Sequence, residues 1–119
     1  LLDLHNLYAN AVNSGHDPLS LLHSVDVSLV SQIHLSGGCG VEHAINGEIH
    51  RRLLDDHLHD PPPIVYDMLA DTAVRTDRPL TVIIERDGRY TDFPVLLAQI
   101  ETARAAVRRG REIKRAVVR

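Results

Sequence analysis

Leu80-Thr81-Val82-Ile83-Ile84-Glu85-Arg86-Asp87 is a run of apolar and β-branched residues that turns acidic at its end. Such a run fits a strand buried among neighbours. Glu85 then falls at the C-terminal end of that strand. A carboxylate buried there without a partner costs on the order of several kcal/mol. A bound cation would remove the cost.

The pattern outward from this strand alternates. Asp77-Arg78-Pro79 is a turn in front of it. Behind Pro61-Pro62-Pro63 the spacing predicts a helix from Ile64 to about Val74, with Val65, Met68, Leu69 and Ala73 on one face. After Gly88 it predicts an amphipathic helix from about Phe93 to Arg111 or later, striped by Leu96, Leu97, Ile100, Ala103 and Val107. Upstream, Val27 to Leu35 has the length and β-branched content of a strand, and Ser36-Gly37-Gly38-Cys39-Gly40 reads as a flexible stretch after it. The region 41–60 reads as a long loop with a short helix near 47–54. Leu1 to Leu4 reads as a strand tail that leads to His5-Asn6, followed by the mostly apolar Leu7 to Asn13. After the turn at Ser14-Gly15-His16-Asp17-Pro18, Asp17 should cap a short helix with Pro18 at its first position.

The resulting order is strand end, helix, strand, long loop, helix, strand, helix. Strands alternating with helices argue parallel βα units. The expected fold class is α/β, the C-terminal portion of a (β/α)8 TIM barrel. Residues 1–119 are then one partial-barrel domain of about three βα units, with the N-terminal half absent. Three strands cannot close a barrel, so a fragment or one half of a split barrel is expected.

Composition narrows the function. Among 119 residues, 44% are apolar and 24% charged, a normal balance for a globular chain. Aromatics make up 3%, so the core must come from Leu, Val, Ile and Ala. A net charge of −3 provides no electrostatic footprint for nucleic acid, the basic stretch Arg104 to Arg119 excepted. A single cysteine, Cys39, excludes an internal disulfide and fits a reducing cytoplasm. No run reaches the length of a membrane span.

Polar residues of one chemical kind gather at the strand ends. Asp3 and Asn6 follow the first strand, His34 lies at the end of the second, Asp55 and His57 stand in the loop after it, and Glu85 ends the third. In a (β/α)8 barrel these ends are where active sites are built. Asp55-x-His57 puts two side chains on one face of an extended segment. Each residue alone has an ordinary explanation: a salt bridge for Glu85, a hydrogen-bonded core imidazole for His34, a loop cap for Asp55. Their joint order points to a metal site. Imidazole and carboxylate without thiolate suits iron, zinc or manganese. His16 and His23 read as surface residues, and Cys39 as a bystander thiol. No role is assigned to His5, His43, His50 or His59.

The same residues carry a family resemblance. Leu2-Asp3-Leu4-His5-Asn6-Leu7-Tyr8-Ala9-Asn10-Ala11-Val12-Asn13 with Gly15-His16-Asp17-Pro18 resembles a signature of the multinuclear non-haem iron-dependent oxidative enzymes, long catalogued as bacterial proteins of unknown function. Gln32-Ile33-His34-Leu35-Ser36-Gly37, Asp55-Asp56-His57 and Ile84-Glu85-Arg86-Asp87 resemble its further motifs. The resemblance implies a xylose-isomerase-like barrel. It implies Asp3, His34, Asp55, His57 and Glu85 as metal ligands, with Asn6 a further candidate. It implies two or three irons and oxidation by dioxygen of cysteine residues in a ribosomally synthesised precursor peptide, recruited by a small partner protein. The family's other ligands come from the N-terminal half of the barrel, so this chain alone should lack a complete cluster. Two departures stand out: His5 where the family usually has Asn, and Gly38-Cys39-Gly40 where it usually has a His. Competing functions are a divalent-metal hydrolase, nuclease or isomerase of the same barrel superfamily, and an inactive remnant.

Overall fold

The computed structural model describes residues 1–118. Its central sheet is parallel and three-stranded, in the order β1 (Leu2–Asp3), β2 (Gln32–Leu35), β5 (Thr81–Ile84). Leu2 pairs with Ile33 and Asp3 with His34, and the ladder continues from His34 to Ile83 and Leu35 to Ile84. Side chains alternate between the two faces of a strand. Ile33 and Leu35 are fully buried on one face, where Leu2, Val82 and Ile84 join the same core. Asp3, His34 and Ile83 leave the other face, and Glu85, two residues beyond Ile83, extends that row. Ile83 is 38% exposed, so the described helices cover one face of the sheet and leave the other open.

The helices follow local chemistry. Asp3 caps α1 (Leu4–Ser14) by accepting from the Asn6 amide, and Gly15 ends it in the left-handed conformation at φ 74°. The helix therefore begins at Leu4, earlier than the strand tail expected there, because Asp3 both ends β1 and caps. Asp17 caps α2 (Pro18–His23) as expected, accepting from Ser20. Val27–Leu29 forms a 3-10 turn capped by Asp26, so β2 is shorter than the expected strand from Val27. Asp26 competes for the Ser28 amide with its own carboxylate. Helix α3 (Pro63–Arg75) buries Val65, Met68, Leu69 and Ala73. Helix α4 (Phe93–Val118) packs along it. At their crossing a Cβ on Gly110 would strike the Ala70 carbonyl and approach Ala73 Cβ to 2.8 Å.

The largest departure from expectation lies at 39–54. No helix forms near 47–54. Instead β3 (Cys39–Ile45) and β4 (Glu48–Leu54) pair antiparallel as a hairpin. Its two-residue turn is Asn46-Gly47, with φ of 50° and 80°. That geometry matches the right-handed twist of the paired strands. The hairpin is mostly exposed, with His43 and His50 stacked across it at 5.9 Å. Asn13 of α1 clamps its base, donating to the Leu53 carbonyl at 2.9 Å and accepting from the Leu53 amide at 2.8 Å.

Ser36-Gly37-Gly38 is not a flexible stretch. A Cβ on Gly37 would strike the Asp60 and His59 carbonyls, and one on Gly38 would strike the Leu54 carbonyl and come within 2.7 Å of His5 Cε1. These glycines let the segment 54–60 lie directly against the end of β2.

Candidate metal centre

The open face of the sheet supplies the first part of the site. Asp3, His34 and Glu85 share that face, and His34 Nδ1 lies 3.1 Å from Glu85 Oε2. One ligand-type atom from each of the three falls within 4.8 Å of the others.

The segment after the hairpin supplies the second part. His57 has φ 59°, an uncommon conformation for a residue with a side chain. Two backbone hydrogen bonds hold it there: its amide donates to the Gly37 carbonyl at 3.1 Å, and its carbonyl accepts from the Asp87 amide at 2.8 Å. The imidazole then lies between two acidic groups. Nε2 is 3.2 Å from Asp55 Oδ1 and 3.7 Å from Asp3 Oδ2, while Nδ1 is 3.4 Å from Glu85 Oε1 and 3.3 Å from Asp87 Oδ2. Asp3, Asp55 and His57 form a second close group, and His57, Glu85 and Asp87 a third. Shared members make the three groups one continuous constellation. Asp3, His34, Asp55, His57 and Glu85 are thus brought together, as their spacing led one to expect.

Asn6 reaches the constellation indirectly. It donates from Nδ2 to Asp55 Oδ2 at 3.1 Å and accepts from Asn10 through Oδ1. His5, 1% exposed, donates from Nδ1 to Asp55 Oδ1 at 2.6 Å. Ser36 Oγ lies 3.4 Å from the same oxygen. Two residues were not anticipated. Asp87 stands two residues after Glu85, where the same period-two argument that linked Asp55 to His57 would have found it. His5 carried no periodic signal; only the burial of the first turn of α1 reveals it.

Electrostatics follow from the packing. Burial raises the Asp55 carboxyl, but hydrogen bonds from His5 and Asn6 and the neighbouring His57 outweigh it and hold the group below its usual range. Burial lowers His57, yet Asp55, Glu85 and Asp3 outweigh that and raise it. A site that attracts a proton this way attracts a metal cation by the same field. The donor set is carboxylate and imidazole without sulfur, which fits iron and also zinc or manganese. An outer layer braces the loops: Arg86 donates to Asp60 Oδ1 and to the Gly88 carbonyl, both at 2.8 Å.

Comparison with known proteins agrees in extent. The family model described as RiPP precursor modification enzyme MbnB/TglH/ChrH matches residues 1–108. A UPF0276 protein of Bordetella bronchiseptica is 34% identical over 112 residues, covering 92% of this chain and 37% of the relative. One from Caulobacter vibrioides is 37% identical over 111 residues, covering 93% of this chain and 36% of the relative. The chain therefore spans little more than a third of the length of these relatives. No solved structure matches it.

Proposed function

The chain belongs to the MbnB/TglH/ChrH family of RiPP precursor modification enzymes, RiPP denoting a ribosomally synthesised and post-translationally modified peptide, and on that premise we propose that it is the C-terminal part of an iron-dependent enzyme that oxidises cysteine residues of such a peptide with dioxygen. The family is one of metalloenzymes acting on peptides and implies a TIM-barrel-like fold. The parallel order β1-β2-β5 with intervening helices is compatible with one portion of such a barrel. In this reading residues 1–119 are a partial barrel domain of about three βα units, and the open sheet face looks into the barrel.

The observation that carries the reading is the placement of His57 between Asp3 and Asp55 on one side and Glu85 and Asp87 on the other. Asp3, His34, Asp55, His57 and Glu85 would hold the metal, with two or three irons in the complete protein. Asn6 sits where it can join the ligands or orient Asp55. Iron would supply the redox chemistry that cysteine oxidation needs and that zinc lacks. The residues of this chain do the rest: Asp3 at the end of β1 and Asp55 in the segment after β4 present carboxylates from two parts of the fold, His5 and Asn6 hold Asp55 in one orientation, and the His57 backbone bonds hold its segment in place. A small partner protein would deliver the precursor peptide. No described helix is long and apolar enough to cross a membrane, and a cytoplasmic enzyme fits the single free cysteine.

Metal analysis of anaerobically purified protein containing the complementary part of the barrel tests this. Two or three irons per chain are expected, with lower iron content and no oxygen consumption on a cysteine-containing peptide in Asp55→Ala and His57→Ala. Full peptide oxidation by a zinc-loaded, iron-free preparation would overturn the mechanism. Unchanged iron in both variants would remove the pair from the site.

A further inference from the structure

The segment that carries Asp55 and His57 has a second set of contacts. Between and beyond those residues, Asp56 and His59 meet Cys39, the first residue of β3. Cys39 Sγ lies 3.4 Å from Asp56 Oδ2, and His59 Nδ1 lies 3.0 Å from Asp56 Oδ1. One donor atom from each of the three falls within 4.8 Å of the others, and all three residues are half-buried. None of them belongs to the constellation of Asp3, His34, Asp55, His57, Glu85 and Asp87.

We propose that Cys39, Asp56 and His59 form a separate binding site for a thiophilic divalent cation of the zinc class. The geometry is close to what such an ion requires. Bonds of about 2.0 Å to nitrogen and oxygen and about 2.3 Å to sulfur place tetrahedral ligand atoms roughly 3–4 Å apart. The observed separations need only small side-chain rotations to reach it. A thiolate, an imidazole and a carboxylate in one cluster select a borderline-soft ion over magnesium or calcium, which take oxygen ligands.

The backbone holds the three donors in place before any ion arrives. Cys39 pairs with Leu54 at the base of the hairpin. Asp56 Oδ1 accepts from the Leu58 amide at 2.9 Å, which shapes the turn that brings His59 back. Gly37 and Gly38 press this turn against the end of β2. The proton balance is simple. The Cys39 thiol proton leaves to solvent, and the His59 ring proton moves from Nδ1 to Nε2. Arg89, whose Nη1 lies 3.2 Å from His59 Nε2, is exposed and swings into water. Water takes the fourth position on the ion. The site does not depend on the oxidative reading, because it shares no ligand with it.

Cobalt(II) titration of the reduced chain under anaerobic conditions tests the proposal. Cys39 is the only cysteine, so sulfur-to-cobalt charge-transfer absorption in the near ultraviolet can come from no other residue. The expected result is a saturable band whose amplitude corresponds to one thiolate-bound cobalt per chain, which disappears in the nearly isosteric Cys39→Ser and is displaced by zinc. Its apparent affinity should fall by at least about tenfold in both Asp56→Asn and His59→Ala. It should persist in Asp55→Ala, which damages the other centre alone. Absence of the band in the unsubstituted chain overturns the proposal. So does a band of unchanged affinity in both Asp56→Asn and His59→Ala, the mark of a bare thiol, or a band lost in Asp55→Ala, the mark of a single merged centre.

Discussion

His5 Nδ1 lies 2.6 Å from Asp55 Oδ1, and His5 is 1% exposed. The first turn of α1 thus reaches across the fold to hold a side chain that arrives 50 residues later. The ring also meets Tyr8 edge-on at 5.7 Å. His5→Ala should leave a cavity beside Asp55 and remove its shortest hydrogen bond. Loss of a buried bond to a charged partner costs about 1–3 kcal/mol, to be read from chemical denaturation. Metal affinity should fall as well, while His16→Ala on the exposed turn should change neither.

Gly38→Ala tests the close approach of the 54–60 segment. The added Cβ meets backbone at Leu54 and the buried ring of His5, and neither can rotate away. Overpacking of this kind costs roughly 1–3 kcal/mol. Gly40→Ala is the control, since a Cβ there meets nothing within 4 Å. Equal stability of the two variants would refute the packing argument.

Metal binding should weaken as pH falls. His57 is raised above its usual value by Asp55, Glu85 and Asp3, so a proton competes for the ring up to a higher pH than for a free histidine. Binding a cation must expel that proton. Without metal the sign reverses for stability. The charged ring stabilises the loop fully below the unfolded-state value, and this contribution disappears as pH rises through the folded value. Metal titrations at several pH values, run beside His57→Ala, separate the two effects.

Acid should loosen the turn at Asp56. Its carboxyl is lowered to about 2. Burial opposes this, but the Leu58 amide, His59 and the Cys39 thiol outweigh it. The contribution is present above the unfolded-state pKa and disappears as pH falls from 3.8 through about 2. Asp56→Asn should flatten that part of a stability profile measured by denaturant midpoint. A profile as steep as that of the unsubstituted chain would contradict it.

Much of this architecture was legible in the sequence. Asp17-Pro18, the triple proline that leads into α3 and the apolar run ending in Glu85 each carry a local chemical reason for the element they start or stop. Their pleat alternation also places Asp3, His34 and Glu85 on one face. The hairpin is where expectation failed: Asn46-Gly47 is a hairpin-turn dipeptide, but the mostly polar strands beside it lack the apolar alternation that usually marks a strand, and a long loop with a short helix was expected there instead. The roles of Gly37, Gly38 and His5 were not legible. They depend on which backbone comes close in space, and periodicity does not record that. Val27–Leu29 shows the opposite failure: β-branched content favoured a strand, and one aspartate side chain turned the chain into a 3-10 turn.

Among the described residues the hairpin is tied at its root and exposed at its tip. Asn13 grips Leu53, and Cys39 and Leu54 face one another where the strands enter the fold. A change at the Asn46-Gly47 end should therefore be damped at that root before it reaches Asp55. That tip is a place where the chain can be lengthened, cut or fitted with a reporter without retuning the metal centre. An affinity tag spliced between Asn46 and Gly47 would be a handle mechanically insulated from the site.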